Sequence, residues 1–311
     1  MILHDLEYAA PESVVEAVTL LTERGGGRAL AGGQSLLADL KSPDLTSGNG
    51  TSGNGRSGDG RSGAGTARGG APFRLVDLRR IPRLHGIDRS AGGTLRIGAM
   101  TTLAEIAESA VVRAANPSLA DAAAAIGDPQ VRNRGTIGGN IATRDRPTDL
   151  PAVALSGLAR LHLTGPGGDR TASAEEYFAA NGEDGGDAGH DLIVSVEFPA
   201  LTEREMSVFN KIADRAARSP LSAVAVWAEC ADDGGVMACR IGVVGATRRP
   251  TRLHGVEAAL ADTLPTAETI RAAIRAVPVQ EFVDDEAASA AYRAHLTNAL
   301  VQRSFDQILA N

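Results

Sequence analysis

The sequence predicts a mixed α and β chain in two folding units, and three observations carry that expectation. Its 311 residues suffice for roughly two domains of about 150 each. Apolar residues recur at helical spacing in some segments and gather in short β-branched runs in others. The last third puts strands first and helices after them, the order of a small α+β domain. A polar stretch opened by proline, residues 199–205, reads as the junction.

The elements follow in order. Residues 11–24 place Val14, Val15, Val18 and Leu21 on one helical face, with Pro11 near the start and three glycines after the end. Residues 28–31 read as a short strand entering Gly32-Gly33-Gln34-Ser35, and 36–41 as a helical turn leaving it. Strands are expected at 73–78 and 94–98, then a helix capped by Thr101 or Thr102. An Ala-rich helix at 118–126 leads into a second glycine loop. Beyond Asp149-Leu150-Pro151 come a helix, a strand at 159–163, a helix at 174–180, a polar Gly-rich patch at 181–189 and a strand at 192–198. The second unit offers strands at 207–213, 223–229 and 237–244, then helices near 251–261, 267–276 and 285–309.

Residues 47–70 stand apart. They hold ten glycines in a five-residue repeat without one large apolar side chain, so the segment cannot offset its ordering entropy and reads as an inserted flexible surface loop.

Composition excludes several functions. A net charge of −7 and ten aromatic residues oppose a nucleic-acid partner. The amino terminus lacks a basic start and a long apolar stretch, so no membrane span or signal peptide is read and a cytoplasmic location is expected. Cys230 and Cys239 are read as small buried residues flanking a turn, and the six histidines form no i, i+4 pair, so no metal site is expected on this chain. A Walker frame begun at Gly27 has Gly33 where its lysine must stand, and neither glycine loop carries the Rossmann G-x-G-x-x-G.

What remains is a pair of loops, Ala31-Gly32-Gly33-Gln34-Ser35 and Gly135-Thr136-Ile137-Gly138-Gly139-Asn140. Paired glycines beside hydroxyl or amide side chains let a backbone approach closely and turn N–H groups toward an anion. Either alone is a common chain reversal; two in one unit point to a dinucleotide pyrophosphate.

Residues 31–37, Ile97-Gly98-Ala99, the string from Asp128 to Asn140, and Asp149-Leu150-Pro151 closely resemble the FAD-binding medium subunit of molybdenum hydroxylases, the flavoprotein of the carbon monoxide dehydrogenase and xanthine dehydrogenase family. The resemblance spans nearly the whole chain except 47–70, and includes Lys211 and Tyr292-Arg293 in the terminal helix. It implies an α+β fold: a two-subdomain FAD-binding unit of the vanillyl-alcohol-oxidase (PCMH) type over residues 1–200, then a small carboxy-terminal flavoprotein domain over 205–311. Carried over by position, Ala29, Leu30, Ala31, Gly32, Gly33, Gln34, Ser35 and Leu36, with Thr136, Ile137, Gly138, Gly139 and Asn140, would hold the pyrophosphate and ribityl chain. Asp149 would bind cofactor hydroxyls, Ile193 and Ile126 would line the isoalloxazine pocket, and Lys211 would sit near its pyrimidine edge.

Each residue also has a plain reading. Asp149 before Leu-Pro is an ordinary helix cap, a strand lysine such as Lys211 is usually solvated, and Ile193 is a core residue. Arg132 and Arg134 could meet phosphate or pair with acids such as Asp128. Between the second loop and Asp149 this chain has Arg144-Asp145-Arg146-Pro147, where many relatives carry small or acidic residues.

The resemblance further implies an oxidoreductase subunit with no catalytic residue for the organic substrate. A large molybdopterin subunit and a small subunit with [2Fe-2S] clusters would be its partners, and NAD+ or another molecule the electron acceptor. Two other readings stay open: a stand-alone FAD-dependent reductase or oxidase of the same fold, which would turn over alone, and a non-catalytic scaffold with a decayed flavin site, which would be colourless.

Overall fold

The computed structural model describes residues 6–23, 26–40, 73–143, 147–180, 191–214, 219–278 and 281–310. The repeat at 47–70, the patch at 181–189 and residues 144–146 lie outside them.

The chain opens with β1 (Leu6–Ala9), α1 (Val14–Thr22), β2 (Gly27–Leu30), α2 (Leu36–Asp39) and β3 (Phe73–Asp77). These form a parallel sheet in the order β1-β3-β2. Ser13 caps α1 by accepting from Glu16 N–H; Val14, Val18 and Leu21 of the predicted stripe close over the sheet together with Ala17, whereas Val15, expected on that face, is 72% exposed on the other side of the helix. That stripe shares a core with Leu78, Ile81, Leu84 and Val194.

A second layer follows: β4 (Ile87–Arg89), β5 (Leu95–Gly98), α3 (Leu103–Glu108), α4 (Ala110–Ala115), α5 (Pro117–Ala124), α6 (Pro129–Arg132), α7 (Ile137–Ala142), α8 (Leu150–Ser156), β6 (Arg160–Gly165), β7 (Gly168–Ser173), α9 (Ala174–Ala180) and β8 (Leu192–Phe198). Its sheet is antiparallel in the order β4-β5-β8-β6-β7. Thr102 starts α3 with a capping box closed by Glu105. Besides β1, the sequence reading missed β4 and β7. Both are polar edge strands, so neither shows the alternation that marks a half-buried one.

The remainder is β9 (Glu205–Ile212), β10 (Ser222–Cys230), β11 (Val236–Val244), β12 (Thr251–Arg252), α10 (His254–Leu260), α11 (Ala267–Arg275) and α12 (Ala290–Leu309). The strands order antiparallel as β12-β11-β10-β9. The helix expected near 251 starts at His254, because Thr251 and Arg252 pair with β11. The helix expected from 285 starts at Ala290, because Asp285 is held by Arg293 and Ser289 is the cap.

This sheet is buried on both faces. Val224, Val226, Ile241 and Val243 pack with Leu300, Val301, Phe305 and Ile308 of α12. Ala223, Ala225 and Val244, with Phe209 beside them, join the core built by α5, α8 and the five-stranded sheet. Along β10 the pleat thus turns Val224 and Val226 toward α12 and Ala223 and Ala225 toward α8. The small side lets α8 lie so close that a Cβ on Gly242 would stand 2.1 Å from the Ala152 carbonyl oxygen.

Candidate functional site

The two glycine loops, far apart in sequence, meet. A Cβ on Gly32 would fall 2.1 Å from the Arg134 carbonyl oxygen and 2.8 Å from Gly135 Cα, so only glycine lets the first loop seat on the second. Ala31 faces Gly139, whose added Cβ would lie 3.6 Å from that of Ala31. Gly33 has φ +76°, the left-handed region that turns the chain from β2 into α2. Among the described residues nothing accepts from the N–H groups of Gly32, Gly33, Gln34 or Ser35.

The second loop differs from its sequence reading. Thr136 caps α7, its Oγ1 accepting from Gly139 N–H at 3.2 Å, and Asn140 N–H donates to the Thr136 carbonyl. Ile137 and Gly138 donate to the carbonyls of Thr101 and Ala99. These four N–H groups are therefore spoken for. The first loop offers open donors, and the second is the wall against which it is pressed. Thr101 and Ala99 set that wall, and no local pattern marks Thr101 for the task.

Asn140 ties this wall to the next segment. Its Oδ1 accepts from Leu150 N–H at 3.1 Å and its carbonyl accepts from Thr148 Oγ1 at 2.8 Å. The start of α8 is thus capped by Asn140. Asp149 makes no cap bond, contrary to its plain reading. Its carboxylate points elsewhere: Oδ2 accepts from Lys211 Nζ at 2.9 Å, with the two side chains 5% and 11% exposed. Lys211 also donates to the Ala125 carbonyl at 3.4 Å, and so is not a solvated strand lysine. Burial pushes the Asp149 carboxyl up to about 6, against the opposing pull of Lys211. Asp149 Oδ1 is buried and without a partner. An acceptor left bare in the interior costs free energy unless something donates to it.

Ile126, next to Ala125, and Ile193 on β8 are both buried in the core that Phe209 packs against. Among the described residues Arg132 does not pair with Asp128. Its guanidinium donates to the carbonyls of Ile126 and Gly127, while Asp128 accepts from Val131 N–H. The structure therefore gathers Ala31 to Gly33 against Arg134 to Gly139, and Asn140, Asp149, Lys211 and the Ala125–Ile126 step into one neighbourhood.

Comparison with known proteins bears on this arrangement. The chain is 32% identical over 312 residues to the carbon monoxide dehydrogenase medium chain of Hydrogenophaga pseudoflava, an alignment covering 98% of each. It belongs to the FAD-binding medium subunits of the molybdenum hydroxylase family. Residues 65–201 match the FAD binding domain in molybdopterin dehydrogenase, and 207–308 the CO dehydrogenase flavoprotein C-terminal domain. The xanthine dehydrogenase FAD-binding subunit of Escherichia coli O157:H7 is 25% identical over 97% of this chain and 96% of its own. The fold agrees with the structure of carbon monoxide dehydrogenase from Hydrogenophaga pseudoflava lacking the Mo-pyranopterin moiety of its molybdenum cofactor, at TM-score 0.81 and 31% identity over 100% of this chain and 99% of the other. The expected α+β flavoprotein fold with a carboxy-terminal domain is thereby met. No described helix of this medium subunit is long and apolar enough to cross a membrane. FAD fits the residues present. Its pyrophosphate needs donors such as the open N–H groups of the first loop, and its hydroxyls need acceptors such as the bare Asp149 Oδ1.

Proposed function

We propose that this medium subunit carries electrons within a heteromeric molybdenum hydroxylase or dehydrogenase. They arrive from [2Fe-2S] clusters on a small partner subunit and leave to NAD+ or another acceptor, while a large molybdopterin subunit handles the organic substrate. The observation that carries this reading is the seating of Gly32 on the Arg134–Gly135 backbone, which assembles one cradle from two distant loops.

Within that cradle the chain binds and tunes. The N–H groups of Gly32 to Ser35 hold the pyrophosphate, with Ala29, Leu30, Ala31 and Leu36 shaping the turn and Thr136 to Asn140 closing its other side. Asp149 accepts from cofactor hydroxyls through its free oxygen. Lys211 brings a positive charge to the pyrimidine edge, and Ile126 and Ile193 exclude water around the ring. When bound, FAD supplies a carrier able to exchange electrons singly with clusters and in pairs with an acceptor. We place the boundary between the two units at residues 200–205, and the protein in the cytoplasm.

The absorption spectrum of the purified chain, with identification of the released cofactor, tests the site. Bands of oxidised flavin and released FAD are expected, and both should vanish when Gly33 and Gly139 are replaced by leucine. A second measurement tests the subunit role. Substrate-dependent reduction of an acceptor should require co-purified molybdopterin and iron-sulfur subunits, and turnover by the chain alone would favour a stand-alone reductase.

A further inference from the structure

Between Asp149 and the carboxy-terminal sheet lies α8, with all seven residues Leu150 to Ser156 buried. The sheet holds it at three points. Lys211 on β9 meets Asp149 at the amino end, Gly242 on β11 lies directly beneath the Ala152 carbonyl, and Arg240 Nε on β11 donates to the Ser156 carbonyl at 2.7 Å at the far end. The Arg240 guanidinium carbon stands 3.2 Å from the centre of the Trp227 ring. Among the described residues no carboxylate forms an ion pair with Arg240. Burial draws its pKa down to about 10.

A half-buried cation that draws on Glu205 and Glu257 only at a distance is a costly way to cover an indole, because an aliphatic side chain would do so without the desolvation cost. What an aliphatic side chain cannot do is donate to the last carbonyl of α8, one of the acceptors a helix end leaves open, on the side where a positive charge is favoured. We propose that Arg240 is a positioning residue for the flavin site: by pinning the carboxyl end of α8 against the sheet it sets where Asp149 and the Asn140-bound first turn present themselves to the cofactor. The inference rests on the flavin reading above. The lever is short and stiff, seven helical residues or about 10 Å. Gly242 leaves α8 no room to sink toward the sheet, so loss of the Arg240 bond lets the helix rise or tilt, and Asp149 moves with it.

The test uses the full chain stripped of flavin and titrated with FAD, following quenching of flavin fluorescence, alongside thermal unfolding of each apo-protein. Arg240→Met should weaken FAD binding about tenfold, and Arg240→Lys, which keeps a donor and a cation over Trp227, should stay within about threefold of the wild type. Ser304→Ala, on α12 across the sheet, loses the bond from Asn210 Nδ2 and lowers Tm, yet should leave the FAD Kd within about twofold. Hydrogen exchange on the unaltered chain supplies a second readout, since by reciprocity added FAD should protect amides of α8 and of β11 around Arg240. The proposal is overturned if Arg240→Met binds FAD as the wild type does, if Ser304→Ala loses as much affinity for its fall in Tm as Arg240→Met does, or if FAD leaves α8 and β11 exchange unchanged. Failure of the unaltered chain to bind FAD would instead sink the flavin reading beneath it.

Discussion

Lys211 Nζ on β9 reaches Asp149 Oδ2 at 2.9 Å across 62 residues of sequence, joining the carboxy-terminal sheet to the head of α8 inside the protein. Neither side chain has much access to water, and each offsets only part of the other's desolvation cost. Lys211→Met strands the carboxylate and should cost about 3 kcal/mol in urea unfolding near neutral pH. Asp149→Asn strands the ammonium group at similar cost. The double variant should recover part of the sum, with a coupling of about 1–3 kcal/mol. Additive losses would mean that the two groups do not act as a pair.

The same pair sets a pH dependence. The folded state holds the Asp149 proton up to about 6, whereas an unfolded chain releases it near the ordinary carboxyl value of 3.8. The native protein therefore binds more protons than the unfolded one in that window. The stability this residue contributes is full below the lower value, is lost as pH rises through about 6, and is level above it. Thermal unfolding of the wild type against Asp149→Asn should show the variant gaining relative stability as pH rises from 4 to 6, then running parallel. FAD affinity should move the opposite way, because the carboxylate that accepts hydroxyl protons is formed only as pH rises. That slope should be absent from Asp149→Asn.

Gly32 and Gly139 offer a graded contrast. An alanine methyl at 32 would press on backbone, at 2.1 Å from the Arg134 oxygen, so the loops must part. At 139 the nearest atom is the Thr136 hydroxyl oxygen at 3.0 Å, which can yield by a few tenths of an ångström. Gly32→Ala should abolish flavin retention through gel filtration while leaving the far-UV dichroism near that of the wild type. Gly139→Ala should retain flavin with weaker affinity. Equal retention in both would show that the meeting of the loops is not what holds the cofactor.

How much of this was legible in the sequence depends on where each signal resides. Thr102 followed by Glu105 is local chemistry, and α3 starts where that cap predicts, whereas the helix read over 11–24 starts only at Val14, behind Ser13. Paired glycines beside Gln34 and Asn140 likewise announce close approach from sequence alone. Two glycines inside α7, however, depress helix propensity, so Thr136 to Asn140 reads as loop. Its helical turn forms because the carbonyls of Ala99 and Thr101, from the turn after β5, take up its first N–H groups. Asp149 before Leu150-Pro151 carries the signature of a cap, and only the tertiary fold shows Asn140 doing that work and Lys211 claiming the carboxylate. A pairing across 62 residues leaves no trace in any local window.

Arg293, matched in the sequence only as part of a family pattern, turns out to be a buried cross-tie at the start of α12. It is 3% exposed, donates from Nη1 to the carbonyls of Leu221 at 2.8 Å and Gly245 at 2.7 Å, and pairs through Nη2 with Asp285 at 2.8 Å. With the Ala288 carbonyl accepting from Nε at 3.5 Å, four acceptors converge on one planar fork, which lysine cannot span. Arg293→Met would leave three carbonyls and a carboxylate without this donor, a loss of about 3–5 kcal/mol measured by urea unfolding. Arg293→Lys should recover less than half of it. The pair also holds the Asp285 carboxyl below its ordinary value, so its contribution is present at neutral pH and disappears as pH falls through the lowered folded-state pKa. Asp285→Asn should therefore flatten the acid limb of the stability curve while costing less than Arg293→Met, because the asparagine oxygen still accepts from Nη2. If instead both variants unfold at the same urea concentration, the carboxylate charge rather than the fork geometry would be what secures α12 to the sheet.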